Sequence, residues 1–524
     1  MYTSFGVAFC AAAVILLFYY ATTKNFNYWK KKKIPYPTPI PVFGNCLEHI
    51  ILKKCLAKLY QELCQRFPNE PYFGTFFGTE PALIILDPEV IKLVFTKDFY
   101  YFNSRELQKY TNKELNTQNL FFQHGDTWKV IRSNLTPLFS TARMKNMFHL
   151  IKKCAHTFED MLDYESRQAE VLEARLLMIR YTMDSFCSCG FGIEANTMDL
   201  NAEHSPLMAV GREIFSTSYF RGFKTFTRQL WPHLFYGFGL KSFPTEVYRF
   251  FSNLLAEVFE SRGNKPTSRN DFIDLMLTLK KNKVLVGDSL TNLKTGGSEK
   301  VEVEMDNELI ISQSIVFFAA GFETSAGVLS LTLYELAKNK EAQRRAQNEI
   351  DDYLQKNNNK LSYDCVKELP FLEACLSETL RVYPLLPVIT REVVEGYTFP
   401  SGLHLEEGSR VHLPVYYIHH DPKNFPDPEQ YKPERFLPEA MHEIHPYTFF
   451  PFGEGPRSCI GMRFAKMQVI PGLITFLKMF SVELADGTPQ TLDFETTTFL
   501  LQPTSGLPVK VMRREGWENR VYTR

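Results

Sequence analysis

The sequence predicts an α+β fold, mainly α-helical with small β-sheets, preceded by one N-terminal transmembrane helix. Three observations carry this expectation. The first 23 residues hold no charged side chain and residues 5–21 are almost wholly apolar, close to the roughly 20 residues that a bilayer core demands. Residues 310–337 are apolar on every side, as in a helix crossing a core. Short β-patterned runs bounded by glycine and proline occur at 71–87 and 397–415, too few for an all-β architecture.

The elements follow in order. Lys24 and the run Lys30–Lys33 come after the apolar segment and no basic residue precedes it. That asymmetry leaves the N-terminus lumenal and everything after Lys24 cytosolic. A cleaved signal peptide would carry a basic stretch before its apolar core, so we expect an uncleaved anchor. Residues 34–41 alternate Pro35, Pro37, Pro39 and Pro41 with other residues, a stiff, extended spacer. The chain thus divides into an anchor at 1–23, a basic and proline-rich hinge at 24–45 and one large domain at 46–524. Within it, 51–67 has helical spacing and 71–87 reads as a hairpin turning at Gly78-Thr79-Glu80-Pro81. Helices dominate 127–262. Residues 280–307 are polar and glycine-bearing and read as an exposed loop. A long buried helix spans 307–339, short strands occupy 397–415, and 472–501 mixes helix and strand.

Composition excludes some partners. Of 524 residues, 59 are basic and 59 acidic, whereas a nucleic-acid binder favours a basic excess. The ten cysteines contain no CxxC pair and no dense framework, so a reducing environment is expected. Cys187 and Cys189 lack zinc-site spacing and should pack in a core.

Chemistry concentrates in four segments. In Phe452-Gly453-Glu454-Gly455-Pro456-Arg457-Ser458-Cys459-Ile460-Gly461, one thiol sits among glycines just before a helical stretch. A helix N-terminus favours a thiolate, Gly455 and Gly461 allow close backbone approach to a flat group, and Arg457 is placed to pair with a carboxylate. The long helix holds Ala320-Gly321-Phe322-Glu323-Thr324, where Gly321 and a back-bonding Thr324 would open a groove lined by an alcohol and an acid. Glu378-Thr379-Leu380-Arg381 places an acid and a base on one helix face, with Pro433-Glu434-Arg435-Phe436 downstream. Trp128 and Arg132 stand four apart in a helical stretch, an indole N–H and a guanidinium suited to an acidic group.

These segments, in this order, resemble the haem-binding loop, oxygen-activation helix, ionic frame and Trp-x-x-x-Arg helix of the cytochrome P-450 superfamily, and the proline hinge is similar to that of its microsomal members. The resemblance covers about 490 residues after the anchor. It implies the cytochrome P-450 fold and haem b (iron protoporphyrin IX), with Cys459 as the iron's thiolate ligand. Phe452, Gly455, Arg457 and Gly461 would shape that loop, and Trp128, Arg132, Arg391 and Arg105 would hold the haem propionates. Gly321, Glu323 and Thr324 would serve dioxygen, Thr324 positioning it and Glu323 passing protons from solvent. Glu378, Arg381 and Arg435 would form a buried ionic triad.

The implied activity is a monooxygenation. One atom of dioxygen enters a lipophilic small molecule, xenobiotic or endogenous lipid, steroid or terpenoid. Electrons come from NADPH through NADPH–cytochrome P-450 reductase, with cytochrome b5 as a further candidate donor. The texture is most similar to the clan of insect detoxification and vertebrate drug-oxidising enzymes, in the endoplasmic reticulum membrane with the catalytic domain cytosolic. The pocket would be bounded by residues 102–122, by Phe317, Phe318 and Ala320, by 385–389 and by 503–507. Aromatic and basic residues alternate over 215–243, as at a membrane interface. Two alternatives stay in view: a haem-thiolate isomerase or dehydratase acting on a lipid peroxide, which would typically lack the Glu323–Thr324 pair, and a non-catalytic membrane-bound lipophile carrier.

Overall fold

The computed structural model describes residues 2–105, 108–199, 205–269 and 271–523. The longer helices are α1 (Tyr2–Thr23), α2 (Leu56–Gln65), α3 (Gly125–Leu135), α4 (Thr141–Gln168), α5 (Ala174–Phe186), α6 (Pro206–Ile214), α7 (Tyr219–Leu230), α8 (Thr245–Ser261), α9 (Phe272–Asn282), α10 (Asn307–Lys338), α11 (Lys340–Lys356), α12 (Pro370–Val382) and α13 (Met462–Met479). The strands are β1 (Tyr72–Phe77), β2 (Glu80–Ile85), β3 (Val171–Glu173), β4 (Val284–Asp288), β5 (Lys300–Glu304), β6 (Ile389–Glu392), β7 (Tyr397–Thr398), β8 (His404–Leu405), β9 (Arg410–Leu413), β10 (Phe480–Leu484) and β11 (Pro508–Arg513).

Helix α10 is the axis of the domain. Asp306 caps it, accepting from the Leu309 N–H at 2.7 Å, and most of its side chains are buried on all sides. It packs against α5, α12 and α13, and α13 packs in turn on α4. The principal sheet runs β1-β2-β9-β6 and β10-β11-β3 forms a second. In the first, β1 and β2 form the expected hairpin, with Phe77 opposite Glu80. Only β2–β9 is parallel there, as expected of strands joined by a long crossover.

The anchor stands clear of the domain, with residues such as Phe5, Phe9, Leu16 and Phe18 more than half exposed. The segment between helix α1 and the domain is docked on the domain, and in the proline-rich stretch the Pro35 carbonyl accepts from the Gly74 N–H at 2.9 Å. Trp29 is buried, its indole N–H donates to the Thr75 carbonyl at 2.9 Å, and a Cβ on Gly74 would lie 2.3 Å from its ring. Glu406 accepts from Lys32 Nζ at 2.8 Å.

The region read as an exposed loop requires a correction. Residues 284–304 form the antiparallel hairpin β4–β5 around a short helix, Asn292–Thr295. Leu285, Val301 and Val303 alternate with exposed residues, a period-two pattern diluted by charge. The ionic triad is assembled: Glu378 takes Arg381 at 2.7 and 2.9 Å and Arg435 at 3.5 Å. Glu378 and Arg381 are fully buried.

Candidate active site: a cysteine thiol beneath four arginines

The Cys459 loop is built from its turns. The Cys459 N–H donates to the Phe452 carbonyl at 2.8 Å and the Ser458 N–H to Gly455 at 3.0 Å. Gly455 has φ +69°, and a Cβ there would lie 2.0 Å from the Phe95 carbonyl oxygen, so its freedom serves close packing on the chain itself. Gly461 has φ −90° and the nearest atom to a Cβ is 3.9 Å away; this structure does not require glycine there. Cys459 keeps accessible surface although protein atoms surround it. Burial pushes its thiol above the usual value, against the Gly461 N–H and the Arg132 and Arg105 guanidiniums, which pull it down. The expected lowering by the helix terminus is thus outweighed by desolvation.

Two guanidiniums, Arg105 and Arg132, act on that thiol, and Arg391 and Arg457 join them in one cluster through Arg105. Arg105 donates to the Phe121 carbonyl at 3.1 Å and the Arg457 carbonyl at 3.4 Å. Arg457 shares the Phe121 carbonyl at 3.3 Å, binds the Gln123 carbonyl and stacks 4.5 Å from the Trp128 ring centroid. Arg391, on β6, gives one bond to the Thr390 carbonyl. Arg132 projects from α3 within electrostatic reach of Cys459, Arg105 and Arg457. No acid among the described residues offsets any of them. Nε of Arg391 and of Arg457 are buried without a hydrogen-bond partner. Burial and mutual repulsion lower their affinity for protons: Arg105 falls to about 10 and Arg391 to about 9. Clustered buried cations without anions are costly unless a ligand supplies the negative charge. A flat group with two carboxylates beside the thiol fits these donors. His124 also belongs here: its Nδ1 is buried without a partner, and burial and Arg457 depress its pKa.

On α10 the five-residue segment lies within continuous helix. Gly321 is filled from outside, since a Cβ there would lie 2.1 Å from the Phe186 ring; its role is close packing on α5. Thr324 Oγ1 donates to the Ala320 carbonyl at 2.8 Å, and Ala320 is accessible midway along a buried helix. Thr324 lines a small pocket with Glu323, Gly327, Leu385, Leu501 and Gln502. Glu323 differs from the expected solvent relay. It is 5% exposed, pairs with Arg175 and accepts from Gln502 Nε2 at 2.9 Å. Desolvation raises its pKa, and Arg175 and Gln502 lower it. Arg175 and Gln502 carry no sequence signal, being 148 and 179 positions from Glu323.

Not all predicted lining residues face the site. Phe317 stacks on Phe139 and Phe272, Phe318 packs on Phe186 and Phe251, and Phe102 packs on Tyr397 and Phe399. All three are core. Leu385 from the predicted segment 385–389 and Pro503 from 503–507 do reach Thr324's pocket, beside Leu500, Leu501 and Gln502, which lie outside the predicted segments.

A helical domain that directs one internal thiol and four unpaired arginines at the same space defines a haem-thiolate protein. Residues 34–510 match the family described as Cytochrome P450. Relatives include Cytochrome P450 6B2 of Helicoverpa armigera (34% identical, covering 96% of this chain and 97% of the relative). Cytochrome P450 6k1 of Blattella germanica is 35% identical over 98% and 99%, and Probable cytochrome P450 6a14 of Drosophila melanogaster 34% over 95% and 98%. The chain belongs to the cytochrome P450 superfamily, on the insect detoxification side, and is a haem monooxygenase that uses dioxygen and a redox partner.

Proposed function

We propose that this chain is a membrane-anchored monooxygenase of lipophilic compounds, drawing electrons from NADPH through NADPH–cytochrome P450 reductase, with cytochrome b5 as an auxiliary donor. Its place would be the endoplasmic reticulum membrane, with residues 46–524 as a catalytic domain in the cytosol. The observation that carries the reading is the Cys459 thiol set among Arg105, Arg132, Arg391 and Arg457 without an acidic partner.

In this reading Cys459 would ligate the iron, and Arg105, Arg132, Arg391 and Arg457 with Trp128 would hold the propionates. The bound haem supplies activation of dioxygen, one atom of which enters substrate while the other leaves as water. Gly461's N–H, donated to the sulfur, keeps negative charge on it. Thr324 offers a hydroxyl on the pocket side of α10. Glu323 lies one residue away, and Arg175 and Gln502 set the orientation of its carboxyl. The apolar residues Leu385, Leu500 and Leu501 beside Thr324 favour lipophilic substrates and exclude water.

The test is the carbon monoxide difference spectrum of the reduced, membrane-expressed protein beside Cys459→Ser. We expect the thiolate-ligated Soret band in the first and its loss in the second. Absence of a haem band in folded wild-type protein would remove the reading and favour the lipophile carrier. Turnover without NADPH and reductase would favour the lipid-peroxide isomerase.

A further inference from the structure

The hairpin β4–β5 rests on the helix that carries Trp128 and Arg132. Asp126, in the first turn of α3, accepts from the Ser289 hydroxyl at 3.1 Å and from the Leu290 N–H. Lys129 donates to the Ser289 carbonyl at 2.9 Å, and Asn134 to the Val286 carbonyl at 3.3 Å. The backbone contact is close: a Cβ on Gly287 would lie 3.0 Å from Val130, and Val130 is fully buried. The far end of the same insert reaches the other wall. Lys294 meets Glu395 at 2.5 Å and lies over the Tyr100 and Tyr101 rings. Glu395 follows β6, the strand that presents Arg391.

We propose that this hairpin is a clasp across the arginine cradle, with Asp126 and Lys294 as positioning residues at its two ends. This rests on the haem reading above. Arg132 and Arg391 stand on separate elements, and each is in electrostatic reach of the Arg105 guanidinium between them in the cluster. The insert ties α3 to the turn after β6, and so holds the spacing at which both guanidiniums serve one dianionic ligand. The Asp126 bond sits at a helix N-terminus in a partly buried place, where a charge-assisted hydrogen bond is strong. The Lys294–Glu395 pair is more exposed and salt-screened, so the Asp126 end carries more of the effect.

The experiment uses the full chain loaded with haem: wild type, Asp126→Ala, Asp126→Asn, Lys294→Ala and the double alanine variant. Haem transfer to a scavenging apoprotein is followed optically, and hydrogen exchange of residues 125–135 is followed in the haem-free protein. Supporting residues of this kind typically change affinity by about 10–100-fold. We expect haem loss about tenfold faster in Asp126→Ala and faster still in the double variant. Asp126→Asn, which keeps an acceptor oxygen, should return most of the difference, and exchange across α3 should rise in the alanine variants alone. Raising salt should mimic Lys294→Ala and not Asp126→Ala. Haem loss within twofold of wild type in the double variant would overturn the proposal. So would faster loss with α3 exchange unchanged. A wild type that takes up no haem overturns the underlying reading, and the exchange data from haem-free protein still judge the clasp.

Discussion

Gly321 shows what a single residue can and cannot announce. A glycine in a buried helix costs about 1 kcal/mol relative to alanine, so something must be gained there. The Phe186 ring occupies the space that a Cβ would need, 2.1 Å away, and Phe186 is itself packed on Phe191, Phe318 and Phe464. The ring therefore has little room to yield. Gly321→Ala is expected to cost about 1–3 kcal/mol by overpacking, read as a lowered urea midpoint, and Phe186→Leu in the same chain should recover part of it. Equal stability of Gly321→Ala and wild type would show that the α5–α10 contact relaxes freely. Cys459 and Arg457 were legible because their spacing is local and fits one loop. The partners of Glu323 were not, because Arg175 and Gln502 reach it only through tertiary folding. Gly461 was read as allowing close approach to a flat group, and a Cβ there would meet no protein atom nearer than 3.9 Å.

Among elements, long periodic helices were legible and the polar hairpin was not. Helix α10 begins at Asn307 as expected because its cap and its apolar run coincide. Strand β5 escaped because lysine and glutamate fill its outward positions, and β4 because Val284 and Val286 face outward beside buried Leu285, leaving no apolar–polar alternation to mark a period. The contact of α13 with α4 holds a second unforeseen feature. Lys478 is fully buried, meets Glu159 and lies over the ring of Tyr522 from the C-terminal segment. Burial lowers its pKa to about 8 from the usual 10.5, against Glu159, which raises it. Between those values the unfolded chain binds a proton that the folded chain does not. Stability from this group should therefore be flat below about pH 8 and rise as pH climbs from 8 to 10.5, by about 3 kcal/mol at most. Urea midpoints across that range should show a rise that Lys478→Met lacks; parallel curves would mean that the ammonium stays charged in the fold.

At the scale of the whole molecule, the question is how the domain meets the bilayer. The aromatic stretch was expected to lie at an interface, and the structure divides it. Phe226 and Phe235 are buried, whereas Tyr219, Phe220, Phe223, Leu234 and Phe238 are half exposed or more. These outward residues lie beside the hinge, because Trp231 packs on Phe43 with ring centroids 5.9 Å apart and Phe226 packs on His49. Trp29, buried against Gly74 just after α1, fixes the anchor's exit to the same region. The candidate spanning helix and this exposed aromatic face are thus held in fixed relation by the docked hinge. Burying a large apolar side chain is worth about 1.5–3 kcal/mol when complete, and interfacial insertion is partial. A chain lacking residues 2–23 but keeping Trp29 is therefore expected to fold with unchanged stability and still to partition onto zwitterionic vesicles. Phe220→Ser with Phe238→Ser should weaken that partition about tenfold, a change of about 1.4 kcal/mol, in a flotation assay insensitive to salt. Salt-sensitive binding would assign the contact to the lysines instead, and unchanged flotation of the double variant would show that this aromatic face stays in water.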